Sequence, residues 1–112
     1  MDFSFEQLAS GVTMISLKGR LDVTGAMKID VQFAAVAAGN RAVVVDLGGV
    51  EFLASMGLRT LIMGAKSMHT KNGRMALWRP QPMVEEVLVT SGTTTLIPLA
   101  HDIAEAERLV LG

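Results

Sequence analysis

Ser55 is the residue with the most chemistry open to it. It follows the run Ala42-Val43-Val44-Val45-Asp46-Leu47-Gly48-Gly49-Val50-Glu51-Phe52-Leu53-Ala54 and leads into Met56-Gly57-Leu58. That order reads as a buried strand, a polar-tipped loop and the start of a helix. A hydroxyl at a helix N-terminus faces unpaired backbone N–H groups and the positive end of the helix dipole. Two roles fit the place. One is an N-cap, worth about 1 kcal/mol. The other is the seat of a phosphate, which would add roughly -1.5 to -2 charges to the surrounding surface.

The other reactive side chains give less. Asp22 and Asp46 fall at predicted strand ends, where they serve either as the polar rim of a binding site beside Ser55 or as acceptors for local loop N–H groups. Met56, Arg59, Thr60, Met63 and Ser67 recur along one flank of the helix after Ser55. This stripe is either a partner surface, with adaptable Met contacts and Arg59 as anchor, or a mixed solvent-facing flank. Gly48-Gly49 lacks the Gly-Lys-Ser/Thr of a phosphate loop and reads as a turn needing positive φ. Ser55 and Gly57 form half of a Gly-x-Ser-x-Gly elbow, but Leu53 stands at the first glycine. His69 and His101 are the only imidazoles, and neither holds a triad position, so a small serine esterase is a remote alternative. With no Cys and two His, thiol catalysis is excluded and no metal or other cofactor is expected.

These residues need a frame. At 112 residues the chain suits one domain, 1–112, large enough for a real core. Half of it is hydrophobic but only 4% aromatic, so aliphatic side chains and Met must fill the interior. A net charge of -1 carries no footprint for nucleic acid. No apolar run approaches the ~20 residues of a membrane span, and the start lacks the pattern of a signal peptide. A soluble, cytoplasmic protein is the expectation.

Phe3 to Leu8 and Val12 to Leu17 alternate around Ala9-Ser10-Gly11, the pattern of a β-hairpin. Gly19-Arg20-Leu21-Asp22 reads as a connector to a helix capped by Thr24, carrying Ala26, Ile29, Phe33 and Val36 and ended by Gly39-Asn40 in the left-handed conformation. Val43 to Val45 is a strand covered on both faces. Leu58, Leu61, Ile62, Ala65 and Met68 define the next helix, stopped by Asn72-Gly73. Met75 to Trp78 is a strand, with Trp78 packed on the sheet, and Met83 to Leu88 a short helix. Leu96-Ile97 is a brief strand before Pro98, and Asp102 to Leu111 a last helix. The alternation predicts an α/β domain: a small, mixed, mostly parallel sheet with an N-terminal hairpin and about four helices packed on it.

Three segments together resemble STAS domains of the anti-sigma-factor antagonist type. They are Gly19-Arg20-Leu21-Asp22 with Thr24-Gly25-Ala26, then Val45-Asp46-Leu47 through Phe52-Leu53, Ser55 and Gly57-Leu58, and last Pro82-Met83-Val84 with Val87-Leu88 and Ser91-Gly92. The resemblance implies a non-enzymatic anti-anti-sigma factor. Such a protein binds an anti-sigma factor that is also a serine kinase, is released when Ser55 is phosphorylated, and is restored by a PP2C-type phosphatase. On this reading Asp22 and the helical flank of Met56, Arg59 and Met63 form the binding surface. The family usually has Asp just before the phosphoacceptor and Ser or Thr just after; here Ala54 and Met56 stand there. That difference favours, as the alternative, a STAS subunit of a larger lipid-transport or stress-signalling assembly without phosphorylation control.

Overall fold

The computed structural model describes residues 1–112. Strands β1 (Asp2–Gln7) and β2 (Thr13–Leu21) form the expected hairpin, with Phe3 opposite Leu17 and Phe5 opposite Ile15. Gly11, at φ 93°, supplies the left-handed residue of its turn. The chain continues through α1 (Val23–Gly39), β3 (Ala42–Leu53), α2 (Ser55–His69), β4 (Arg74–Trp78), α3 (Pro82–Thr90), α4 (Thr93–Leu96), β5 (Leu99–Ala100) and α5 (Ile103–Leu111). The five strands lie side by side in sequence order, antiparallel at the hairpin and parallel thereafter. No helix is long and apolar enough to cross a membrane.

Strand β3 shows why its valines run together. Val43 and Val45 point into the larger core, with Ile29 and Phe33 of α1, Leu61 and Met68 of α2, and Leu88 of α3. Val44 points to the opposite face, where Val12, Met14 and Ala76 pack under Ala106 and Val110 of α5. Both faces of the strand are covered, so both must be apolar. Gly64 lets the aromatic ring of α1 reach α2: a Cβ there would stand 2.5 Å from Phe33 Cε1.

Several local expectations are corrected. Leu21 still belongs to β2, so Asp22, not Thr24, caps α1, its Oδ1 accepting from the Gly25 N–H at 2.8 Å. Asn40 ends that helix in an extended conformation (φ -135°). Its side chain supplies the termination instead, donating to Val36 O at 2.8 Å and accepting from Thr13 Oγ1 at 2.9 Å. Gly48 and Gly49 lie inside β3 without positive φ. They are small because Arg79 and the Lys18 segment press on them: a Cβ would stand 2.8 Å from Arg79 Nε and 3.1 Å from Lys18 Cγ, respectively. Thr93–Leu96 is a fifth, single-turn helix, and the last strand falls after Pro98, at Leu99–Ala100.

Asp46 and Arg79 tie β3 to the segment after β4. Arg79 Nε and Nη2 each donate to the Asp46 carboxylate at 2.9 Å, Gly48 N–H donates to the same group at 2.9 Å, and Arg79 also lies over the Trp78 ring. Burial disfavours the Asp46 charge, but the Arg79 and Gly48 hydrogen bonds and the guanidinium charge outweigh it and hold the carboxyl below its ordinary pKa. Asp22 is lowered too, chiefly by the Gly25 N–H, with Arg20 adding to it against some desolvation. A carboxyl depressed in the folded state contributes in full above its unfolded value, about 3.9. That contribution is lost as pH falls through the lower folded value. Asp46→Asn is therefore expected to lose about 1 kcal/mol at pH 7, the exposed Arg79 limiting the loss. It should also flatten the decline below pH ~4. Urea midpoints measured from pH 7 to pH 2.5 check this; a parallel decline in the variant contradicts it.

Candidate functional site

Two close approaches bring the N-termini of α1 and α2 to one place, the C-terminal end of β2. A Cβ on Gly25 would collide with the Arg20 carbonyl oxygen. One on Gly57 would stand 2.6 Å from both Leu21 Cγ and Leu21 O. Leu21 pairs with Leu53, and Ala54 N–H donates to Leu21 O at 3.1 Å. A single residue, Ala54, thus joins β3 to α2, where the sequence suggested a loop, and the strand itself runs to Leu53.

That junction settles the cap alternative. Ala54 occupies the N-cap, no side chain caps this end of α2, and the first turn holds no acidic residue. Ser55 is the first helical residue and is exposed. The first-turn amides of α2 therefore point outward without a side-chain acceptor. Helices α1 and α5, by contrast, are capped by Asp22 and Asp102. A phosphate on Ser55 would meet this positive end of the helix, while Asp22 stands at the neighbouring helix start.

Downstream, α1 and α2 enclose a groove of about 550 Å³. Met56, Arg59, Met63 and Ser67 line it from α2, Asp30 and Ala34 from α1. Thr60 forms the floor: it is buried, and its Oγ1 donates to Asp30 Oδ1 at 2.6 Å, linking the two helices. Met63 is 56% exposed. The Met56–Ser67 stripe of the sequence is thus one wall of a groove rather than an isolated flank.

Sequence reasoning passed over an exposed apolar stripe on α1, outside the groove lining. Val23, Met27 and Val31 recur every four residues on α1, and Met27 and Val31 are 71% and 82% exposed. Their signal was present: α1 carries apolar residues on its outer face as well as on its Ala26-Ile29-Phe33 core face. Phe52 is also partly exposed at the end of β3, with the Arg20 guanidinium 4.3 Å from its ring centre. Arg20 Nε lies 3.5 Å from Asp22 Oδ2, so cation, ring and carboxylate form one rim beside the α2 start.

Asp46 does not join this rim. It faces Ser16 and Trp78 in mid-sheet, seven residues before Leu53, on the order of 20 Å along the strand. His69 closes α2, about 20 Å along the axis from Ser55 at 1.5 Å per residue. His101 is held 3.0 Å from Glu85. Neither ring hydrogen-bonds to Ser55, so neither forms the serine–imidazole pair of a hydrolase.

The family described as "Mlab, STAS domain" matches residues 4–98. BtrV of Bordetella bronchiseptica, named as a candidate anti-sigma factor antagonist, is 33% identical over 92 residues, 81% of this chain and 79% of its own length. The solved structure of an anti-sigma factor antagonist from Mycobacterium paratuberculosis is similar at a TM-score of 0.88 and 26% identity, over 99% of this chain and 94% of that one. SpoIIAA, a cell fate determinant of Bacillus solved in its phosphorylated form, shares the fold at a TM-score of 0.71 and 19% identity, over 96% of this chain and 98% of that one. With the hairpin, the mostly parallel sheet and the Ser55 junction in place, the chain belongs to the STAS domain family.

Proposed function

We propose that this protein is an anti-sigma factor antagonist that binds an anti-sigma factor with serine kinase activity and is released when that kinase phosphorylates Ser55. The observation that carries the reading is an exposed serine at an uncapped helix N-terminus, next to a groove lined by Met56, Arg59 and Met63. Met56, Met63, Val23 and Met27 offer a surface that adapts to a partner, and Arg59 an anchor. Asp22, with Arg20 and Phe52, edges the same end. The likeness to BtrV supports the antagonist role, and SpoIIAA is a protein of this fold that exists in a phosphorylated form. A PP2C-type phosphatase would return the chain to its binding state, and ATP would belong to the kinase.

A second reading is favoured by Ala54 and Met56, the apolar neighbours of Ser55: a STAS subunit held permanently in a larger assembly. One experiment separates the two. The chain is incubated with the candidate kinase of its own genome and ATP, and intact mass and complex formation are followed together. The switch predicts a mass gain of one phosphate, absent in Ser55→Ala, together with loss of the complex. A stable complex that accepts no phosphate overturns the switch and leaves the permanent subunit.

A further inference from the structure

The helix that carries Ser55 borders a second concavity that shares no residue with the α1–α2 groove. A cavity of about 680 Å³ lies between α2, the start of β4, α4 and α5. That size falls within the range of small-molecule sites, roughly 300–1,000 Å³. One part of the lining is apolar: Ile62 of α2, Leu96 of α4, Pro98 and Leu109 of α5. Leu96 is 60% exposed beside it, a large aliphatic side chain with little of the protein covering it. The other part is basic, with Lys66, His69 and Arg74, and no carboxylate lines the cavity.

The charges are available. None of the chain's ion pairs includes Lys66 or Arg74. The carbonyls at the C-terminus of α2, which would repel an anion, are already engaged: Lys66 O, Met68 O and His69 O accept from Thr70, Gly73 and Asn72 N–H, and Ser67 O accepts from Thr70 Oγ1. In a chain of net charge -1, this is a local concentration of unpaired cations joined to an apolar trough. Lys66 lies one helical turn below Ile62 on α2, so the two chemistries follow one another along one helix.

We propose that this cavity binds a single-chain fatty acid anion, its alkyl chain along Ile62, Leu96 and Leu109 and its carboxylate between Lys66 and Arg74. A neutral chain would forgo the two cations, and a short anion would forgo the trough, so both parts of the ligand are needed. The site is independent of the Ser55 surface.

Laurate, kept below its micelle concentration, is titrated into the ¹⁵N-labelled full chain. The expected result is saturable one-to-one binding with amide shifts centred on 62–75 and 95–98. Dodecanol and acetate should bind at least about tenfold more weakly, the equivalent of one charge-assisted contact. The double variant Lys66→Ala/Arg74→Ala, in two exposed side chains, should lose about tenfold for laurate while keeping the wild-type unfolding temperature. Leu96→Glu provides a second route, introducing repulsion at the trough. The proposal is overturned by equal binding of laurate and dodecanol, by shifts centred on the α1–α2 groove, by unchanged affinity in both variants, or by no saturation. Ser55→Glu is expected to bind laurate as the wild type does, so failure of the phosphorylation switch and failure of this site give different results.

Discussion

Ser55→Glu is expected to weaken binding of the anti-sigma partner by about two orders of magnitude, close to 3 kcal/mol. The position concentrates the effect. Ser55 is exposed at the first turn of α2 and stands beside Met56, at the head of the α1–α2 groove. A carboxylate there must be desolvated when a partner packs over Met56 and Met63, and a buried unpaired charge is among the most damaging changes an interface can carry. The fold, in contrast, should tolerate it. The uncapped N–H groups of α2 favour a negative charge by roughly 0.3–1 kcal/mol, so the unfolding temperature should hold or rise slightly. Ser55→Ala, which adds neither charge nor bulk and removes no cap, is expected to bind within about threefold of the wild type. Affinities of the three proteins for the same purified partner, with their melting curves, give the measurement. A glutamate variant that binds within threefold of the wild type sinks the proposed surface.

Gly57→Ala should be strongly damaging for a single added methyl group. In an open helix this exchange stabilises by up to about 1 kcal/mol, because alanine is the better helix former. At Gly57 the new Cβ would stand 2.6 Å from Leu21 Cγ and Leu21 O, and 2.9 Å from Leu53 Cδ1. The carbonyl cannot withdraw freely, since it accepts from Ala54 N–H and belongs to the β2–β3 pairing. The first turn of α2 must lift instead, at about 2–3 kcal/mol and a fall in melting temperature on the order of 10 °C. Partner binding should weaken as well, because Ser55 and Met56 move with that turn. Gly39→Ala, where nothing lies within 4 Å of the added methyl, is the control. Thermal unfolding of both variants checks the sign; a stabilised Gly57→Ala would show that the close approach does not hold α2 in place.

How far the fold could be read from the chain follows the range of the interactions that decide it. The hairpin, the two-sided β3 and the α/β alternation were legible because each rests on periodicity within a few residues, as in Val43 to Val45. The failures sit where a distant group decides. Gly48 and Gly49 looked like a turn, yet they are small because Arg79 and Lys18 cross them. Thr24 looked like a cap because nothing local reveals that β2 continues to Leu21 and leaves Asp22 at the helix start. The glycine pair after Asp46 suggests a loop that would bring it near Ser55; a continuous strand separates them instead. At the site, the Met56–Arg59–Met63 flank was visible from helical spacing. The exposed Val23–Met27–Val31 stripe was obscured by the apolar core face on the same helix.

The mounting of α2 on Leu21 carries a further consequence for signalling. A helix start wedged against a strand through a glycine, with one residue as its whole linker, has little room to bend. Under the proposed switch, the two chemical states of Ser55 would be almost the same shape and differ in what they repel. No refolding delay would then separate one state from the other. Response time would be set by the turnover of the enzymes that write and erase the mark, and the protein would act as a passive ledger of their balance.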